Sequence, residues 1–92
     1  MYTVYVLYSP KFDKIYIGYT SNLINRFYAH NKYANKGYTM KLRPWLVIYS
    51  EYFAEISEAL RREKELKSSR GRDFIHHQVI PLMKSVGFIS VS

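Results

Sequence analysis

Two strand-length runs joined by a turn constrain how this chain can fold. Thr3 to Tyr8, TVYVLY, is rich in β-branched and aromatic residues, and Ile15 to Tyr19 repeats that chemistry. Between them, Ser9-Pro10-Lys11-Phe12-Asp13-Lys14 is turn chemistry: Pro10 ends the ladder and Asp13 bonds locally. An antiparallel hairpin over residues 3–19 is therefore expected. Pairing Tyr8 with Ile15 sets Tyr5 opposite Gly18 and turns Tyr5 and Tyr16 to one side of the sheet. Gly18 then leaves space beside Tyr5 for a substrate or water.

The second strand runs straight into a helix. Thr20-Ser21-Asn22 supplies N-cap residues, and Leu23 to about Lys32 is expected to be helical. Leu23 and Phe27 form its apolar face, extended by Ile24 and Tyr28. Asn35-Lys36-Gly37 predicts a loop, and Arg43-Pro44 opens a new segment. Trp45-Leu46-Val47-Ile48-Tyr49 is a near-continuous apolar run that predicts a strand covered on both faces. Ser57 is placed to cap a helix from roughly Glu58 to Ser69, ended or kinked at Ser68-Ser69-Arg70-Gly71. A shorter helix is expected over Arg72 to Ile80, with Pro81 and Gly87 limiting regular structure beyond it. The order is β-β-α-β-α-α, an α+β fold with a small sheet and helices beside it.

At 92 residues, with 48% hydrophobic residues, the chain predicts one domain over 1–92. With no Cys, a disulfide framework and a thiolate metal site are excluded, and a reducing, cytoplasmic location fits. The segment MYTVYVLYSP lacks a basic n-region and a cleavage site, so no signal peptide is expected. No apolar run approaches the roughly 18 residues of a membrane span. The net charge is +7 and unevenly spread. Residues 1–50 carry seven Lys/Arg against one Asp, +6, whereas residues 51–92 carry seven against six acids, +1. A basic half suits a polyanionic partner, although a merely soluble basic surface is an equal reading.

Three constellations carry reactive groups. On the helix after Ser57, Ile56, Ala59, Leu60, Leu66 and Lys67 share a face with Glu63 near its middle, while Glu58 and Glu65 point away. A carboxylate within an apolar stripe must be protonated, paired or metal-bound. A structural pair with a nearby Arg would also explain it. Arg26 and His30, four residues apart, lie one above the other at the rim of the first helix. A guanidinium fork suits phosphate and an imidazole exchanges protons near neutrality, but a surface Arg and a structural His fit the spacing too. Tyr5 and Tyr16 face one side of the hairpin. Tyrosine is a poor base at its ordinary pKa of about 10 and needs positive charge nearby, which Arg26, a metal or His30 could supply. Two tyrosines filling a sheet face would be the commoner use.

Together these residues resemble the GIY-YIG endonuclease superfamily, in particular the small bacterial proteins related to the N-terminal nuclease domain of excinuclease C. Thr3-Val4-Tyr5 stands at the first family tripeptide, with Tyr5 retained, and Tyr16-Ile17-Gly18 matches the second. Arg26, eight residues after Gly18, matches the family Arg, His30 the His found in several members, and Glu63 in EALRREKELK the metal-ligand Glu. The segment YTMKLRPWLVIYSE is similar to the same small branch. An Asn that several members use near the site has no counterpart after Asn35, leaving Ser68 or Ser69 as substitutes.

The resemblance implies a three-stranded mixed sheet flanked by helices and a metal-dependent endonuclease acting on DNA, in repair or recombination. It implies that Glu63 holds one Mg²⁺ or Mn²⁺, Arg26 binds the scissile phosphate, Tyr5 is the general base, Tyr16 orients the phosphate or water, and His30 relays the tyrosine proton. The chain has no room for a second DNA-binding domain. Weak, salt-sensitive backbone binding through the Lys11 to Arg43 region is therefore expected, with a partner protein supplying specificity. The alternatives are a catalytically weak or inactive nucleic-acid-binding module of the same fold and a protein-interaction adaptor.

Overall fold

The structure is a computed structural model, and it describes residues 1–33 and 38–89. Three strands, β1 (Tyr2–Ser9), β2 (Lys14–Thr20) and β3 (Leu46–Phe53), form one sheet in the order β2-β1-β3. The hairpin has the expected register: Tyr8 opposes Ile15, Leu7 opposes Tyr16 and Tyr5 opposes Gly18. Asp13 takes the left-handed conformation (φ 53°) that tightens the turn, and its carboxylate accepts a 2.7 Å hydrogen bond from the Tyr8 hydroxyl.

Both ladders are antiparallel, so the sheet is not the mixed one the resemblance implied. β2 and β3 do run in the same direction, but β1 lies between them, and no parallel pair forms. Nor is β3 the doubly covered strand. That role belongs to the central strand β1, where Thr3 to Ser9 are all buried, while β3 is an edge whose one fully buried residue is Ile48. Ile48 is the extra residue of a β-bulge, since Val6 opposes Tyr49 while Leu7 opposes Val47.

The alternation of β1 divides the core in two. Val4, Val6 and Tyr8 pack with Ile17 and Ile48 against Ala59, Leu66, Ile75, Val79, Ile80 and Ile89 of the C-terminal helices. Tyr5 and Leu7 turn the other way, onto Trp45, Tyr16, Leu23 and Phe27. Helix α1 (Leu23–Tyr28) begins at Asn22, whose side chain accepts from the Asn25 amide at 3.1 Å. Only Leu23 and Phe27 pack inward from it; Ile24 is 69% exposed and Tyr28 is exposed as well, so the apolar face is narrower than expected. The helix continues as a π-helical turn over Ala29–Tyr33. A short α2 spans Tyr38–Lys41. The loop expected at Asn35-Lys36-Gly37 lies outside the described residues.

Helix α3 (Ile56–Lys67) starts behind Glu55 rather than Ser57, with no side-chain cap. Its neighbour α4 (Ser69–Phe74) is capped by Ser68, whose hydroxyl accepts from the Gly71 amide and donates to the Glu65 carbonyl. Gly71 sits directly on the end of α3. A Cβ there would collide with backbone atoms of Glu65 and Leu66, which explains why a glycine stands inside this helix. The expected Arg72–Ile80 helix is the middle of a longer run: α4, a π-helical turn (Ile75–Val79) and α5 (Ile80–Ser85). Pro81 does not stop it because it occupies the first turn of α5, where a missing N–H is tolerated. The run ends at Gly87 (φ 81°), with Phe88 and Gly87 amides donating to the Met83 and Lys84 carbonyls, a Schellman closure. Among the described residues no helix is long and apolar enough to cross a membrane.

Candidate functional site

Tyr5, Tyr16, Arg26, His30 and Glu63 come from β1, β2, α1, the π-helical turn and α3. The structure brings the first four together, with Glu63 within electrostatic range. The Tyr5 hydroxyl lies 3.1 Å from His30 Nε2. The His30 ring is 4.6 Å from that of Tyr16, and the two tyrosine rings stack at 6.4 Å. The Arg26 guanidinium is within hydrogen-bonding reach of both tyrosine hydroxyls. Glu63 approaches from the helix layer on the other sheet face, and its charge reaches Tyr5. It lies on the line of the buried Ala59 and Leu66, whereas Ile56 and Leu60 of the expected stripe are exposed.

The electrostatics divide these groups. Burial raises the Tyr5 pKa above its ordinary value; Arg26 opposes this through a hydrogen bond and its charge, while Tyr16 and Glu63 add to the rise. Burial, helped by the Arg26 charge, lowers the His30 pKa. Both effects disfavour an imidazolium at His30, which makes it a poor source of positive charge for Tyr5, one of the roles the sequence left open to it. The direction of the Tyr5–His30 hydrogen bond follows the imidazole tautomer: the hydroxyl donates where Nε2 carries no proton, and the neighbouring Arg26 favours the tyrosinate form.

Gly18 also acts differently from expectation. A Cβ on it would stand 2.6 Å from the Tyr5 hydroxyl oxygen and 2.8 Å from Cζ. The space belongs to the Tyr5 ring itself, not to a substrate. Without that clearance Tyr5 could not lie across the hairpin to reach His30.

Glu63 is ion-paired only loosely, with Lys67 at 3.7 Å, and its side chain is 19% exposed. The tight structural pair on this helix is a different one: Arg62 grips Glu51 at 3.0 Å, with Tyr49 donating to the same carboxylate. Among the described residues no group of three or more His, Asp or Glu forms a metal cage. A single partly exposed carboxylate suits a hard cation that keeps most of its water, as Mg²⁺ does, and does not suit zinc. Ser68 is committed to capping α4 and does not take the place of the family Asn.

Two positioning residues escaped the sequence reading. Asn31 donates through Nδ2 to the Trp45 carbonyl at 3.1 Å and accepts the Trp45 amide at 2.7 Å. Arg43 Nε donates to the His30 carbonyl at 2.8 Å. Together they tie the turn carrying His30 to the segment before β3, and place buried Trp45 edge-on against Tyr16 at 6.4 Å. The only local signal was a short amide next to a histidine.

Comparison with known proteins agrees with this arrangement. Residues 1–74 match the GIY-YIG catalytic domain. A UPF0213 protein, SH2523, of Staphylococcus haemolyticus is 41% identical over 58 residues, covering 63% of this chain and 71% of that protein. A UPF0213 protein of Limosilactobacillus reuteri is 37% identical over 73 residues, covering 77% and 75%. The solution NMR structure of UPF0213 protein BH0048 from Bacillus halodurans superposes with a TM-score of 0.55 at 26% identity, covering all of both chains. GIY-YIG nucleases generally use divalent metal ions, and a nuclease domain implies nucleic-acid binding. With four-fifths of its length matched by the family model, the chain belongs to the GIY-YIG family.

Proposed function

We propose that this protein is a divalent-metal-dependent endonuclease that hydrolyses phosphodiester bonds in DNA. The observation that carries the reading is the cluster of Tyr5, Tyr16 and His30 with Arg26 beside the tyrosine hydroxyls, within electrostatic range of Glu63. Glu63 would hold Mg²⁺ or Mn²⁺, which on binding supplies Lewis-acid stabilisation of phosphate charge. Arg26, exposed and aimed at the tyrosine hydroxyls, binds the scissile phosphate and offsets charge developing on it. Tyr5 takes a proton from the attacking water after passing its own to His30 Nε2, which the short contact between them supports. Tyr16 orients the phosphate or water from the neighbouring strand. Specificity comes from a partner protein, and the setting is cytoplasmic repair or recombination.

The test is cleavage of supercoiled plasmid and branched DNA with Mg²⁺ or Mn²⁺, comparing wild type with Glu63→Ala and Arg26→Ala. Cleavage in wild type and its loss in both variants is expected; equal cleavage in all three sinks the assignment. A second reading, a non-catalytic DNA-binding module, draws on the raised pKa of Tyr5, which keeps the proposed base protonated in the absence of bound ligands. DNA binding that survives Glu63→Gln, with no cleavage under any metal, would select it.

A further inference from the structure

Beside the candidate site lies an open hollow of about 640 Å³ between the hairpin and the C-terminal helices. Four of its lining side chains can carry positive charge: Lys14 from β2, Lys67 from the end of α3, Arg72 from α4 and His76 from the following turn. Arg72 and His76 are four residues apart on one helical run and present the same face. Among the described residues Lys14 and Arg72 make no ion pair, and Lys67 has only its loose contact with Glu63. One carboxylate, Asp13, lines the hollow, and its Oδ1 is engaged by the Tyr8 hydroxyl. Three cations converging on one hollow from β2, α3 and α4, with His76 beside them and one engaged carboxylate, mark a site for an anion, not for a metal or an apolar ligand.

Its position narrows the choice. Tyr16 lines the hollow and also stands in the site against His30, while Lys67 joins the hollow to Glu63. A strand whose scissile phosphate lies at Arg26 would continue past Tyr16 into this space. Resting on the nuclease reading above, we infer that the hollow binds a phosphodiester flanking the cleaved one, with Arg72 and Lys14 as its principal ligands. Arg72 offers the fork that matches phosphate oxygens in pairs, and Lys14 a mobile point charge across from it. DNA contact then extends beyond the basic N-terminal half to residues of the nearly neutral second half.

The experiment measures binding of a fluorescein-labelled 20-base-pair duplex by anisotropy across a salt series. Wild type is compared with Lys14→Ala/Arg72→Ala and with Lys84→Ala, a charge removed from α5 far along the chain. Plasmid cleavage by wild type and Glu63→Gln is run in parallel. Each phosphate contact contributes about 0.9 to the slope of log K against log salt, so the double variant should flatten it by about 2 and weaken binding roughly tenfold at low salt. Lys84→Ala should leave both close to wild type. Both substituted cavity residues are exposed, and far-UV circular dichroism checks that the fold is kept. If wild type cleaves and binds while the double variant binds with an unchanged slope, the hollow is not a DNA site, although the nuclease reading stands. If wild type binds but does not cleave, and the double variant flattens the slope, the phosphate site stands and the catalytic reading fails. If wild type neither binds nor cleaves, both fall. Inorganic phosphate is titrated separately while the amide signals of Lys14, Lys67 and Arg72 are followed by NMR. Shifts that saturate at lower concentrations than DNA requires would identify a free-phosphate site and overturn the inference.

Discussion

Gly18→Ala is the most direct probe of how the site is built. The new methyl would stand 2.6 and 2.8 Å from the hydroxyl oxygen and Cζ of Tyr5, and 3.2 Å from Tyr16 Cε1. Tyr5 is 1% exposed, its ring stacks on Tyr16, and its hydroxyl meets His30, so it cannot yield like a surface side chain. Overpacking of this kind costs about 1–3 kcal/mol. Displacing the hydroxyl from His30 forfeits a buried hydrogen bond worth about 0.5–1.5 kcal/mol. The total is about 2–4 kcal/mol, a large share of the roughly 5–15 kcal/mol stability of a small domain. Urea unfolding by circular dichroism measures it. The decisive arm is Tyr5→Leu, which removes the atoms that clash. In that background Gly18→Ala should cost at least about 1 kcal/mol less than in wild type. A cost below about 0.5 kcal/mol in wild type, or equal costs in both backgrounds, would refute the idea that Gly18 exists to admit Tyr5.

Three further outcomes are expected. Burial raises the Glu51 carboxyl, but hydrogen bonds from Arg62 and Tyr49 and the Arg62 charge outweigh that and hold its pKa below the ordinary value. Its stabilisation is therefore complete above about pH 4.3 and lost as pH falls through the depressed folded value, so Glu51→Gln should flatten the acid limb of a stability–pH profile measured by urea unfolding. Burial and then the Asp13 contact push the Tyr8 hydroxyl up to about 12. The neutral phenol is favoured by the fold, so this stabilisation is present below pH 10 and lost between 10 and about 12; spectrophotometric titration at 295 nm should lose one late-titrating tyrosine in Tyr8→Phe. Asn31→Ala removes the two hydrogen bonds that the Asn31 side chain makes with the Trp45 backbone and should lower stability by about 1–3 kcal/mol. In that variant the turn carrying His30 keeps only the Arg43 tie of the two, so cleavage should fall by more than the unfolded fraction accounts for.

Much of this was legible where chemistry is local. The hairpin register follows from the alternation of Val4, Tyr5, Val6 and Leu7 against a turn of fixed length, and that register alone puts Tyr5 and Tyr16 on one face. What failed depended on distant partners. The run Trp45 to Tyr49 has the composition of a strand covered on both faces, yet Trp45 precedes the strand and fills the α1-side cluster, leaving β3 at the edge. Register also showed that Gly18 would open a space beside Tyr5, but only the tilt of the Tyr5 ring reveals that Tyr5 fills it. On α3, helical periodicity placed Glu63 correctly and Ile56 and Leu60 wrongly, because the sheet under the helix is too narrow to cover a full apolar stripe.

The charge count by halves does not describe how the charges are arranged in space. Summed by halves, the basic residues belong to the N-terminal fifty and the remainder is almost neutral. In space, Glu51 is engaged by Arg62 and Tyr49, Glu65 in part by the same arginine, and none of the acids of the second half lines the hollow. Arg72, Lys67 and His76 are left to face Lys14 across the hollow. The hollow draws Lys14 from the hairpin and Lys67, Arg72 and His76 from the C-terminal helices, segments distant in sequence that meet at one junction. The cleft and the basic hollow are thus two consequences of one packing arrangement, joined through Tyr16 and Lys67. For that reason a substitution at either residue should disturb binding and cleavage together, whereas Arg72→Ala should affect binding first.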